Sequence, residues 1–301
     1  MIILGIGGIL SDAACALLKD GKLVAAIEEK KIARGHTPGK LPVQAIEECL
    51  RLAGVSADQV DCVALVRPFS EGLETELHLE LRGQFAKSRL VVVEHHAAHA
   101  ASAFYASPFE SATVLTLDRV GDFRCGARWS GKGTELTLEE DLYYPDSLGD
   151  IYGRVTELLG FKPNADEHKV QWLSTAGDGR FIPLFEEIMS LNGASWPRID
   201  RSFFDGDRVS GGAFSRKLYD RLGLEDAAPL PETLRPHVAA GLQRAMERAV
   251  IRMAGPAGPL CFAGGLGMNA LLIAALEADR EVFVQPASGN AGTALGAVLH
   301  S

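Results

Sequence analysis

The chain has 301 residues, 47% hydrophobic and 23% charged, with a formal net charge of −9 at pH 7. That is enough for two domains, or one two-lobed unit with a substantial core, and the acidic balance excludes a general nucleic-acid surface, which needs clustered Lys and Arg. No apolar run approaches the roughly 18 residues of a membrane span, no basic segment precedes the apolar N-terminus, and the five cysteines (Cys15, Cys49, Cys62, Cys125, Cys261) form no C-x-x-C pair, so a reduced, cytoplasmic protein is expected, without membrane or nucleic acid as partner.

The first element is an apolar strand, Ile2 to Ile6, that runs into Gly7-Gly8. A loop at Ile9 to Asp12 leads to a second strand, Ala13 to Leu18. The turn Lys19-Asp20-Gly21-Lys22 returns the chain as a third strand, Leu23 to Ile27, with Asp-Gly as the hairpin signal. Pro42 to Ala53 has helical apolar spacing at Val43, Ile46 and Leu50 and stops at Gly54, a fitting C-cap. Val60 to Val66 is a further strand, and the charged segment Glu71 to Lys87 reads as a helix.

The chain is organised around the next stretch. Val91-Val92-Val93 is a buried strand that passes into the alanine-rich helix His95-His96-Ala97-Ala98-His99-Ala100-Ala101. His95 and His99 are four apart and project from one helix face, so they can converge on one ion. His96 points about 100° away. The following strand, Ala112 to Leu117, ends in Asp118, and a carboxylate at the end of an apolar strand needs a partner. Two imidazoles and a carboxylate suit Fe(II), Zn(II) or a similar divalent ion; the alternative is a hydrogen-bonded His–Asp cluster without metal.

After Pro108 the opening order repeats: strand 113–117, a loop at Asp118 to Asp122, strand Cys125 to Trp129, a turn at Gly131-Lys132-Gly133, and strand Glu135 to Leu138. A duplicated unit of this kind is the layout of the two-lobed RNase-H-like fold of actin, sugar kinases and heat-shock ATPases, in which the hairpin loops face a shared cleft and hold phosphates through backbone N–H groups. The expected class is therefore α/β, with residues 1–108 as the first lobe, 109–301 as the second, and a mainly helical insertion at about 141–235. Arg235 to Met253 is an amphipathic helix, and Pro259 to Phe262 and Val282 to Val284 are strands. The first of these strands runs into Ala263-Gly264-Gly265-Leu266-Gly267-Met268-Asn269, and the second into Ser288-Gly289-Asn290-Ala291-Gly292-Thr293 and a last helix, Ala294 to His300. A glycine turn at a helix N-terminus is an anion site, so Gly264, Gly265, Gly267, Asn269 and Gly292 are the candidate nucleotide contacts.

These residues resemble the O-carbamoyltransferases of the nodulation-protein-U and cephamycin type. The likeness covers Ala16 to Lys22 with Ala25 to Glu29, Pro42 to Leu50, His95 to Phe104, Leu115 to Asp118 and Val120 to Asp122. It continues through Ser147 to Gly149, Thr156 to Asn164, Lys169-Val170, Ala263 to Gly265 with Asn269, Val284 to Ala287 and Ala291 to Ala297. The resemblance implies a catalytic domain that binds ATP or a carbamoyl-adenylate together with a divalent metal, and passes the carbamoyl group to the hydroxyl of a small-molecule acceptor in a biosynthetic pathway. His95, His99 and Asp118 would be the metal ligands, Gly264, Gly265 and Asn269 would lie against the nucleotide, and Lys169 would face the cleft.

Three positions depart from the family pattern. Ser11 stands where the family carries a histidine, the candidate base, and a serine cannot take a proton near neutral pH; Asp12, Asp122 or His168 would have to substitute. Asn290 stands where an aspartate is usual, which removes an anionic ligand. Arg119 stands where a glycine is usual, and puts a cation where phosphate would approach. Family chains also continue into an adenylating domain beyond the residues corresponding to Ser301, so a second protein supplying that step, or a homo-oligomer, is expected. The alternative is a non-catalytic paralogue that scaffolds an active carbamoyltransferase.

Overall fold

The computed structural model describes residues 1–35, 37–191, 196–206, 211–225 and 229–301. Two five-stranded sheets carry the chain, each built in the same order. The first contains β1 (Ile2–Gly7), β2 (Ala14–Lys19), β3 (Lys22–Glu28), β4 (Cys62–Val66) and β5 (Arg89–Val93), in the order β3-β2-β1-β4-β5. The second contains β6 (Ser111–Leu117), β7 (Arg124–Lys132), β8 (Glu135–Tyr143), β9 (Leu260–Ala263) and β10 (Val282–Val284), in the order β10-β9-β6-β7-β8. In each sheet the first three strands meander antiparallel and the last two join parallel. The expected duplicated two-lobed fold is therefore present.

Helices fill the connections: α1 (Glu29–Ile32), α2 (Val43–Ala53) and α3 (Leu73–Gln84) in the first lobe, then α4 (His95–Phe104) between the sheets. Between Tyr144 and Leu234 the described residues hold four α-helices, α5 (Leu148–Leu158), α6 (Glu167–Ser174), α7 (Ile182–Ile188) and α8 (Arg216–Arg221), two short 3-10 turns, and no strand beyond a single bridge between Phe204 and Phe214. Stretches 192–195, 207–210 and 226–228 of the expected insertion lie outside the described residues. The chain closes with α9 (Arg235–Met253), α10 (Ala270–Glu277) and α11 (Thr293–His300).

Helix α9 buries Val238, Leu242, Ala245, Met246, Ala249, Val250 and Met253 along one stripe, and α6, α7 and α10 pack on it. The last helix does not stay with the sheet it follows. It lies against β1 of the first sheet, while α4 lies against β6 and β9 of the second, and the two helices touch each other. A Cβ on Gly296 would fall 1.7 Å from the Ala98 carbonyl oxygen, so only a glycine permits this crossing. The crossing joins the lobes at the level of the histidines.

β8 runs five residues past the expected Leu138 and takes in the acidic run Glu139-Glu140-Asp141. The reason is cross-strand pairing: Arg128 binds Glu139 and Glu140, and Arg124 binds Asp141. β7 likewise includes Gly131 and Lys132, which leaves Gly133 in the turn, at φ 58°.

Candidate active site

β5 ends at Val93, and Glu94 caps the next helix by accepting from the Ala97 backbone N–H at 2.6 Å. The cap fixes the phase of α4, and His95 and His99 then share a face that meets Asp118 at the end of β6. His95 Nε2 is 2.8 Å from Asp118 Oδ2, and His99 Nε2 is 3.5 Å from the same oxygen. One ligand atom from each of the three residues lies within 4.8 Å of the others. The second carboxylate oxygen, Oδ1, accepts from the Arg119 backbone N–H at 2.8 Å. His96 goes the other way, as its offset requires, with Nδ1 2.8 Å from Thr116 Oγ1.

The electrostatics of the trio are mutually reinforcing. Burial raises the Asp118 carboxyl, but the hydrogen bond with His95 and the nearby His99 ring outweigh it and hold Asp118 well below the usual carboxylate range. Burial depresses His95, yet Asp118, Asp122 and Glu94 more than offset this and raise it. In His99 burial prevails and keeps the ring neutral, the form a metal needs. Both ring nitrogens of His99 are buried without a hydrogen bond among the described residues. An unmet buried imidazole is costly, and a divalent ion taking its lone pair would remove that cost. By donor chemistry and by this open nitrogen, the residues fit such an ion.

Two cavities meet at Asp118. One, of ≈ 220 Å³, lies between the lobes and is lined by Gly8 to Ser11, Val66 to Phe69, His95, Asp118 to Gly121 and Asn290. The other, of ≈ 300 Å³, runs under α5 and α6 and is lined by Tyr152, Asn164, His168, Gln171, Gly265 and Asn269 among others. Asp118, Arg119 and Asn290 line both. Asn290 Nδ2 donates to Ser11 Oγ at 2.8 Å, and so ties the last glycine loop to the first.

The glycine-loop candidates divide. Gly265 faces the larger cavity, where an added Cβ would meet only Asp118 Oδ1 at 3.1 Å. Gly264, at φ 95°, backs onto Leu117, whose carbonyl oxygen lies 2.2 Å from where its Cβ would stand. Gly267 packs on Ser288, and Gly292 on the Ala287 carbonyl. Asn269 lines the larger cavity, but its amide is engaged: Nδ2 donates to Gln243 Oε1 at 2.9 Å, and Oδ1 accepts from Gln243 Nε2 and caps α10 at the Leu272 N–H.

The catalytic candidates are spread out. Asp122 follows the cavity-lining Gly121, and burial together with the Glu94 carboxylate pushes it up to about 6. Asp12 pairs with Lys30 and lines a separate hollow with Glu28 and Pro286. Lys169 pairs with Asp166 at 2.9 Å and does not line either cavity, whereas its neighbour His168 does. Sequence reading did not single out Tyr152, Gln171 or Gln243, because nothing local in a helix signals which polar residue a distant loop will meet. It also missed Phe69, which lines the smaller cavity, and Phe123, whose ring meets that of Phe69 edge to face at 4.2 Å.

The Carbamoyltransferase N-terminus family profile matches residues 64–299. The chain is 32% identical to the nodulation protein NolNO of Sinorhizobium fredii, over 96% of this chain and 46% of that protein. It is 31% identical to the protein sll1178 of Synechocystis, over 99% of this chain and 56% of that protein. It thus spans about half the length of the curated relatives it matches. Component A of (R)-2-hydroxyglutaryl-CoA dehydratase from Acidaminococcus fermentans superposes with a TM-score of 0.58 at 18% identity, over 100% of this chain and 97% of that one, which supports the fold alone. With a profile match over most of its length, the chain belongs to the carbamoyltransferase family, in the region of that family's N-terminal part.

Proposed function

We propose that this chain carries out the transfer step of a carbamoyltransferase: it receives an activated carbamoyl group on an adenylate and passes it to the hydroxyl of a small-molecule acceptor. The observation that carries this reading is the convergence of His95, His99 and Asp118 at the junction of two cavities. The nucleoside end of the donor occupies the larger cavity over Gly265 and the Asn269 loop. The acceptor enters through the smaller one, between Phe69 and the Ser11 loop. A divalent ion, Fe(II) or Zn(II), held by His95, His99 and Asp118 would screen the charge of the phosphoryl group as the acceptor oxygen approaches. Ser11 and Asn290 cannot accept the acceptor's proton at neutral pH, so that role goes to Asp122, which follows the cavity-lining Gly121 and whose carboxyl is raised to about 6. The adenylating step belongs to a second protein or a separate domain, in keeping with relatives about twice as long.

The neutral Ser11–Asn290 pair favours a second reading, a non-catalytic paralogue that binds an active carbamoyltransferase. The two are separated by supplying the purified, metal-reconstituted chain with preformed carbamoyl-adenylate and a panel of hydroxyl acceptors. Acceptor-dependent AMP release with a carbamoylated product is the expected result. Donor binding without any transfer would leave the scaffold reading standing, and absence of donor binding would end the transfer reading.

A further inference from the structure

We infer that Arg119 makes the junction of the two cavities a binding site for a phosphoryl or pyrophosphoryl oxyanion, one that works without a metal ion. The backbone and side chain of Arg119 lie along the bare face of α5. A Cβ on Gly149 would stand 2.9 Å from Arg119 Cα, and one on Gly153 3.7 Å from its Cζ. The guanidinium is fixed at two points, with Nε 3.1 Å from Asp150 Oδ1 and Nη1 2.9 Å from Asn164 Oδ1. Its Nη2 makes no hydrogen bond among the described residues, and Arg119 lines both cavities beside Asp118 and Asn290.

Charge points the same way. Asp150, only 6% exposed, is shared: its other oxygen accepts from Arg154 Nε at 2.6 Å. One carboxylate between two guanidiniums leaves the cluster with an unmatched positive charge. The Asp118 and Glu167 carboxylates also line the larger cavity, but neither pairs with the Arg119 guanidinium: Asp118 Oδ2 faces His95 and His99, and Glu167 accepts from the Asn164 N–H at 2.5 Å. A guanidinium stays charged at any accessible pH, and its fork suits the oxygens of a phosphoryl group. The proposal extends the donor reading above by naming the residue that holds the donor's phosphoryl end, but it concerns the oxyanion and not the adenine.

The test uses the full chain in EDTA at low salt, titrated calorimetrically with pyrophosphate, AMP and adenosine. Pyrophosphate should bind, AMP should bind more tightly than adenosine, and added salt should weaken both anions. Arg119→Gln should lower pyrophosphate affinity about 10–100-fold and bring AMP down to the level of adenosine. Arg119→Lys, which keeps the charge and loses the fork, should give a smaller loss of the same sign, and serves if the Gln variant does not fold. Lys169→Gln, a cation already paired with Asp166 at 2.9 Å, should leave pyrophosphate affinity unchanged. Equal pyrophosphate affinity in Arg119→Gln and the parent, a loss that follows Lys169 instead, or no binding by the folded parent overturns the proposal. Arg119-dependent pyrophosphate binding with no affinity for AMP or adenosine would uphold it and remove the nucleotide reading.

Discussion

Asn290 donates from Nδ2 to the Ser11 hydroxyl at 2.8 Å, joining two loops 279 residues apart. Both positions stand out in the sequence as departures from the pattern that the family resemblance implies, and they touch. A serine and an asparagine make a neutral hydrogen-bonded pair where the resemblance implies a histidine and an aspartate. The two departures are therefore one change at the junction of the lobes, and it removes both a base and an anion from beside His95 and Asp118. The third departure, Arg119, adds a cation at the same junction, so Asn290 and Arg119 both move the site toward positive charge, while Ser11 removes a base.

The first prediction follows from that charge. Asn290→Asp restores an anion next to the His95, His99 and Asp118 donors and should raise affinity for Fe(II) or Zn(II) by at least about tenfold, the scale of one added electrostatic contact. Metal titration of the apo protein followed by calorimetry reads this directly. An unchanged affinity would mean that position 290 does not face the ion. Ser11→His combined with Asn290→Asp extends the test to chemistry: a gain in transfer from carbamoyl-adenylate would mark a decayed paralogue, and no gain a site suited to its present residues.

His99→Ala should bring metal content after reconstitution down to background, because it removes the one ligand whose ring nitrogens have no other partner. The comparison is His96→Gln. His96 is equally buried but bonded to Thr116, so that variant should lose about 1–3 kcal/mol of stability and keep its metal. Elemental analysis and denaturant melts separate the two. Equal metal loss in both variants would point to a general collapse of α4 and not to a ligand set.

Asp122 supplies a pH prediction. Its folded-state value, raised to about 6 by burial and Glu94, stands above that of an unfolded aspartate. The protonated form is thus the stabilised one: its contribution is complete below pH about 4 and is lost as pH rises through about 6. Asp122→Asn does not titrate. Relative to the parent it should gain about 1–2 kcal/mol between pH 4 and pH 7, a figure reduced for the partial exposure of the group. Chemical denaturation at both pH values checks it, and parallel profiles for parent and variant would refute it.

The sheets were readable because their signals are local: period, turn residues and a repeated order of elements. The histidine trio was readable for a related reason, since a four-residue spacing and a strand-end aspartate each constrain geometry within a few residues. What escaped was set by partners far away in the chain. Asn269 reads as a ligand contact from its place after a glycine run, yet its amide is engaged with Gln243 on α9. Arg119 reads only as a cation where phosphate would approach; that Asp150 and Asn164 hold it against the glycine face of α5 is set by distant residues. The strand reads as ending at Leu138 because the arginines that neutralise its acidic end lie on another strand.

The adjacent glycines 264 and 265 give the last prediction, since they do different things at neighbouring positions. Gly264 sits at φ 95°, and a Cβ there would be 2.2 Å from the Leu117 carbonyl oxygen, so Gly264→Ala must distort the β6–β9 junction and should cost about 2–4 kcal/mol. Gly265 is not in the left-handed region, and its Cβ would meet only Asp118 Oδ1 at 3.1 Å, with the rest of a larger side chain free to enter the ≈ 300 Å³ cavity. Gly265→Val should therefore fold with near-parental stability while filling the space proposed for the donor, and should abolish binding of ATP or carbamoyl-adenylate. Melting curves beside nucleotide titrations of the two variants read the contrast. If Gly265→Val melts like the parent and still binds nucleotide with parental affinity, the nucleotide lies outside this cavity and the assignment of donor and acceptor to the two cavities fails with it.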